Sequence, residues 1–126
     1  MSVFEQPPVR VLVVDDAEEF RRALCAVVEA TPGFALAGAV ASGEEAILSL
    51  AVALAVPQLV LVDVRMPGLD GIETAARIRR SHPEVSIVLL SASDHGAQEG
   101  SLEIADKREV SPDWLAAVWR RASAAE

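Results

Sequence analysis

Three acidic side chains stand where apolar runs stop, and that placement could do chemistry. Leu59 to Val62 is unbroken apolar sequence that ends in Asp63, and Met66-Pro67-Gly68 then turns the chain. Arg10 to Val14 likewise runs into Asp15 and Asp16. An apolar run of this length, bounded by turn residues, reads as a strand buried on both faces of a parallel sheet. Ligands of such sheets gather at the carboxyl ends of the strands. A carboxylate there is costly unless a cation or several donors face it. In a doubly wound sheet of order 2-1-3-4-5 the first and third strands are neighbours, so the three carboxylates would meet. A hard divalent cation is the natural remedy. Magnesium typically takes one or two carboxylates and completes six oxygens with water and phosphate.

Two further residues belong at the same sheet edge. Of eleven basic residues only one is a lysine, Lys107, just after the last apolar strand pattern. Its bland role is a solvated surface charge, but a compact ammonium there also suits an anion such as phosphate. Ser91, closing the fourth strand, offers a hydroxyl donor or merely caps the strand. Asp16 also suits the N-cap of the first helix, with Glu19 completing a capping box. Capping and metal binding are compatible.

The elements that must position these residues alternate along the chain. Strands are expected at Arg10 to Val14, Phe34 to Val40, Leu59 to Val62, Val85 to Leu90 and, briefly, Leu102 to Ala105. Helices are expected from Ala17 to Ala30, with Phe20, Leu24, Val27 and Val28 inward, and from Ser42 to about Leu54 behind a Ser-Gly-Glu-Glu capping box. Ile72 to Arg80 is a third helix, stopped before His82-Pro83. Ser111 as N-cap and Pro112 at the first helical position start a last helix through about Ala122. Such alternation means an α/β fold with a parallel sheet and right-handed crossovers.

Composition bounds the rest. The 126 residues suffice for one domain, read as 1-126 with its core at about 10-121 and no output domain in this chain. A formal charge of −8 argues against direct nucleic-acid binding by this domain, which needs a basic footprint. No apolar stretch is long enough for a bilayer and no signal pattern opens the chain, so no membrane contact and a cytoplasmic location are expected. Cys25 is alone and reads as helix filler. His82 and His95 lack metal-ligand spacing, and Arg77, Arg79 and Arg80 read as a solvated helix end.

Asp15-Asp16, Asp63 with its Met66-Pro67 and Asp70-Gly71 turn, Ser91-Ala92 and Lys107, in this order and spacing, resemble a response-regulator receiver domain. The resemblance runs from about Arg10 to Arg121. From Lys107 through Val110-Ser111-Pro112 to Leu115 the chain is similar to receivers with helix-turn-helix outputs. The resemblance implies a flavodoxin-like sheet and a phosphoacceptor at Asp63, loaded from the phosphohistidine of a sensor histidine kinase. It implies Mg²⁺ held by Asp16, Asp63 and the Arg65 backbone carbonyl, with Asp15 direct or through water. Ser91 and Lys107 would contact the phosphoryl oxygens. Such a domain is a signalling part, not an enzyme, beyond catalysing its own phosphorylation and dephosphorylation.

The chain departs from that family in one region. Only fifteen residues separate Ser91 from Lys107, fewer than receivers usually have, and the loss falls on the fourth helix. Residues 92–101 have no face to bury, so a shortened or missing fourth helix is expected. Leu102 and Ile104 alternate with Glu103 and Ala105, which suggests one covered and one largely uncovered face. Thin cover there leaves room for a homodimer. The aromatic residue that receivers tend to carry three before the lysine is Ile104 here, so the usual aromatic switch cannot operate. Arg65 would flank the site and tune phosphate lifetime. Two alternatives compete. A pseudo-receiver interaction module would signal without phosphorylation. A haloacid-dehalogenase-type phosphatase would want an Asp two residues after Asp63, where Arg65 stands.

Overall fold

The parallel strands form one sheet because most of their residues are apolar, and the central strands are buried on both faces. The computed structural model describes residues 6–92, 98–99 and 102–124. In chain order the elements are β1 (Val9–Val14), α1 (Glu18–Ala30), β2 (Phe34–Val40), α2 (Gly43–Val52), β3 (Leu59–Asp63), α3 (Gly71–Ser81), β4 (Ser86–Ser91), β5 (Gln98–Glu99), β6 (Leu102–Asp106) and α4 (Pro112–Ala124), with a 3₁₀ turn at Lys107–Glu109. The sheet order is β2-β1-β3-β4-β6-β5. Five strands run parallel in the expected doubly wound order, β6 being the expected fifth strand. The two-residue β5 is an addition, antiparallel to β6 at the sheet edge.

β3 is central and every residue in it is buried. Side chains alternate across the sheet. Leu12, Val60, Val62 and Leu89 face α2 and α3, where they meet Ala46, Leu50, Ala75 and Ile78. Val11, Val13, Leu59, Leu61 and Leu90 face α1 and α4, where they meet Leu24, Val28, Leu115 and Val118. Ser42 caps α2, accepting from the Glu45 N–H at 3.1 Å, and Ser111 accepts from the Trp114 N–H at 3.1 Å to start α4.

Several expectations need correction. Among the described residues no helix lies between β4 and β6, in line with a missing fourth helix. The expectation for 92–101 otherwise falls largely outside the described residues, as does His95. The Glu103/Ala105 face of β6 is not bare. α4 lies over it, Ala105 is 5% exposed within the α1/α4 core, and Glu103 is tied to Arg121. Leu102 and Ile104 on the other face are buried too, so the thin cover that motivated a homodimer at β6 is absent. The large exposed apolar side chains among the described residues are Leu48 and Val52 of α2 and Leu54 just after it. That helix stops at Val52, two residues early, because Ala53 leaves the helical region. Cys25 is only half-buried, and burial is the larger of the causes, ahead of Glu29, that push its thiol pKa up. Trp114 and Trp119 are both half-buried against the α1/α4 core.

Candidate functional site

Asp15 follows directly on β1, and its buried carboxylate is divided between two tasks. Oδ1 accepts from the Ala17 N–H at 2.8 Å, which closes the turn into α1. Oδ2 faces the Lys107 ammonium at 2.9 Å. That approach lies off the hydrogen-bonding direction, so this fully buried oxygen has an ion pair but no hydrogen bond. Arg21 reaches back to the Asp15 carbonyl at 2.9 Å and holds the start of α1 to the end of β1. The expected capping box of Asp16 and Glu19 does not form. The N-cap is Ala17, with no side-chain cap, and Asp16 is exposed.

Asp63 ends β3 and is 7% exposed. Its Oδ1 accepts from the Arg65 N–H at 3.4 Å, and its Oδ2 lies 3.5 Å from Lys107. The turn that follows is built by glycine. Gly68 has φ +74°, a left-handed conformation that side chains resist. At Gly71 a Cβ would collide with the Asp63 carbonyl, so α3 can start against the strand end only without one. Asp70 caps that helix, accepting from the Glu73 N–H at 2.8 Å. Beside the turn lies an open groove of about 600 Å³ lined by Val64, Arg65, Met66, Pro67, Asp70 and Ile72. It includes none of the three carboxylates and so flanks the acidic cluster.

The three aspartates present carboxylate oxygens within 4.8 Å of one another. Burial, then the charge of Asp15, pushes the Asp63 carboxyl above the usual carboxylate range; Lys107 and the Arg65 N–H oppose this with smaller effect. An all-oxygen donor set, with one buried oxygen lacking a hydrogen bond, fits a hard cation such as Mg²⁺. Ser91 closes β4 on the adjacent strand, buried and in register with Asp106. The structure thus gathers Asp15, Asp16, Asp63 and Lys107 at one sheet edge and puts Ser91 on the neighbouring strand end. Arg65 directs its amide into the site, while its side chain is exposed.

Two neighbours escaped the sequence reading. The Phe20 ring lies under the Lys107 ammonium, 4.5 Å from Nζ to the ring centroid. Phe20 reads as core from its spacing alone. Asp106, 2% exposed beside the lysine, takes Arg108 through both of its oxygens, the shortest contact being 2.6 Å. Alternation along β6 places it on the Ile104 face, which was the signal available.

Residues 11–105 match the family model described as the response regulator receiver domain. The chain is 39% identical over 111 residues to a protein-glutamate methylesterase/protein-glutamine glutaminase 2 of Anaeromyxobacter dehalogenans, covering 84% of this chain and 32% of that protein. It is 35% identical over 86 residues to the response regulator GacA of Pseudomonas protegens, covering 68% of this chain and 39% of GacA. The chain thus spans about a third of the curated relatives it matches. A signal receiver domain attributed to NarL of Mycobacterium tuberculosis superposes with a TM-score of 0.79 at 28% identity, covering 93% of this chain and 98% of that one.

Proposed function

The chain belongs to the response regulator receiver family, and from that premise we propose that it is a phosphoaccepting switch with Asp63 as the acceptor. The observation that carries this reading is the buried Asp63 carboxylate, with two further carboxylates and one ammonium around it. In the transfer, an Asp63 oxygen forms a bond to phosphorus as the N–P bond of a sensor kinase's phosphohistidine breaks. The imidazole nitrogen leaves with the electron pair and takes a proton from water. A carboxylate is a competent nucleophile, and phosphoryl transfer asks the protein chiefly to position groups and neutralise oxygen charge.

Asp15, Asp16, Asp63 and the Arg65 carbonyl would hold Mg²⁺, which supplies positive charge to the phosphoryl oxygens. Lys107 adds a point charge and Ser91 a hydroxyl donor. The product carries roughly −1.5 to −2 charge, enough to redraw contacts at the strand ends. The domain acts in the cytoplasm as a signalling part of a transcriptional or other regulator, without itself touching DNA. No helix among the described residues is long and apolar enough to cross a membrane.

The test is acetyl phosphate with Mg²⁺ followed by intact mass measurement. Wild type gains one phosphoryl group and Asp63→Asn gains none. No gain on wild type, the behaviour of a phosphorylation-independent module, or an equal gain on the variant, overturns the reading.

A further inference from the structure

Lys107 needs something to hold it. A lysine head rides on a flexible four-carbon stem and is strongly hydrated. Here its side chain is only 16% exposed, and its head lies 2.9 Å from Asp15 Oδ2 and 3.5 Å from Asp63 Oδ2. Those two oxygens are also what a metal and a phosphoryl group would engage, so neither is a constant partner. Among the described residues its further partner is the Phe20 ring, 4.5 Å from Nζ and inside the roughly 6 Å reach of a cation–π interaction. The ring is itself fixed. Phe20 lies in the first turn of α1, packed on the α1/α4 core, and Arg21 beside it is bonded to the Asp15 carbonyl. A leucine would fill similar space but would lack the negative face that attracts a cation.

We propose that Phe20 is a positioning residue for phosphoryl transfer, its ring serving as the pivot on which the Lys107 ammonium turns. The proposal rests on the phosphoacceptor reading of Asp63. A ring face attracts charge without fixing the direction of an N–H. The ammonium can therefore turn from Asp15 towards the phosphoryl oxygens without leaving the ring. The chain's one lysine thus stays within reach of the reacting group through the transfer.

Replacing Phe20 in the full chain with mono-, di- and trifluorophenylalanine weakens the ring's negative face step by step while nearly keeping its shape. Two quantities are read for each: the rate of phosphorylation by acetyl phosphate with Mg²⁺, and the urea midpoint without Mg²⁺. The same series is made on Lys107→Met. The rate should fall with each fluorine, by about 2- to 30-fold in all, and the midpoint should fall in step. Neither trend should persist on Lys107→Met, where any packing effect of fluorine remains. A flat series, or an equal decline on Lys107→Met, overturns the proposal. If wild type takes no phosphoryl group, the phosphoacceptor reading fails instead. The midpoints then decide alone whether ring and ammonium are coupled, as they also do if Lys107→Met is too slow to measure.

Discussion

Replacing Asp63 by asparagine should make the metal-free protein more stable, although it removes the residue on which the proposed function depends. Asparagine keeps the shape and an oxygen for the Arg65 N–H, and takes away only the charge. Carboxylate oxygens within 4.8 Å, at an effective dielectric of about 20, repel by roughly 3.5 kcal/mol per pair. The ammonium at 3.5 Å returns about 4.7 kcal/mol on the same scale. Repulsion from Asp15 alone falls about 1 kcal/mol short of that attraction, and burial of Asp63, the largest cause of its raised carboxyl, outweighs the difference. Solvent screens the exposed Asp16, so the expected gain is about 1 kcal/mol, or roughly 3–5 °C in Tm. Thermal and urea unfolding of both proteins in chelator measure it. Millimolar Mg²⁺ should then stabilise wild type by more than the variant, since binding to the folded state alone adds about 2.7 kcal/mol at a hundredfold excess over Kd. A variant less stable than wild type in chelator would refute the electrostatic argument. An equal Mg²⁺ gain in both would remove Asp63 from the cation site.

The same difference should depend on pH. The Asp63 carboxyl is raised in the folded protein above its ordinary 3.8, so its protonation favours folding. That contribution is fully present below 3.8 and is lost as pH rises through the folded value. In chelator the urea midpoints of wild type and Asp63→Asn should therefore converge at low pH and separate as pH rises; a constant gap contradicts the raised carboxyl. Gly71→Ala should destabilise by about 1–3 kcal/mol, because its methyl meets the Asp63 backbone, which cannot move aside as a side chain tip could. It should also slow phosphorylation by pushing α3 off the strand end; unchanged urea midpoints would show that the turn relaxes freely.

How far the site could be read from sequence depends on what each feature obeys. Asp15, Asp16 and Asp63 were legible because apolar runs mark strands, and strand order then brings their ends together. Ser42 and Ser111 were legible because a cap is a local hydrogen bond. Asp16 followed the same capping rule and failed it, since Asp15 took the Ala17 N–H and the helix began later. β5 escaped because two polar residues carry no alternation. The Phe20 contact escaped because it joins residues far apart in sequence, and spacing on α1 says only that Phe20 faces inward. The cover on Glu103 and Ala105 comes from α4, and a strand's own sequence cannot report which helix will lie over it.

The route by which the lysine reaches the site bears on local unfolding. Lys107 directly follows β6, a strand whose outer flank pairs, among the described residues, only with Gln98 and Glu99 of β5. Strands near a sheet edge open at lower free energy than central ones. The Lys107–Asp15 pair ties this edge back to the end of β1, across β3 and β4. Each fraying event at the edge would carry off the chain's only lysine and leave two buried carboxylates facing one another. A phosphoryl group on Asp63 would strengthen the pull on that ammonium. The sheet edge would then open less often, so that a charge placed at the centre of the sheet is felt as slower amide exchange at its rim.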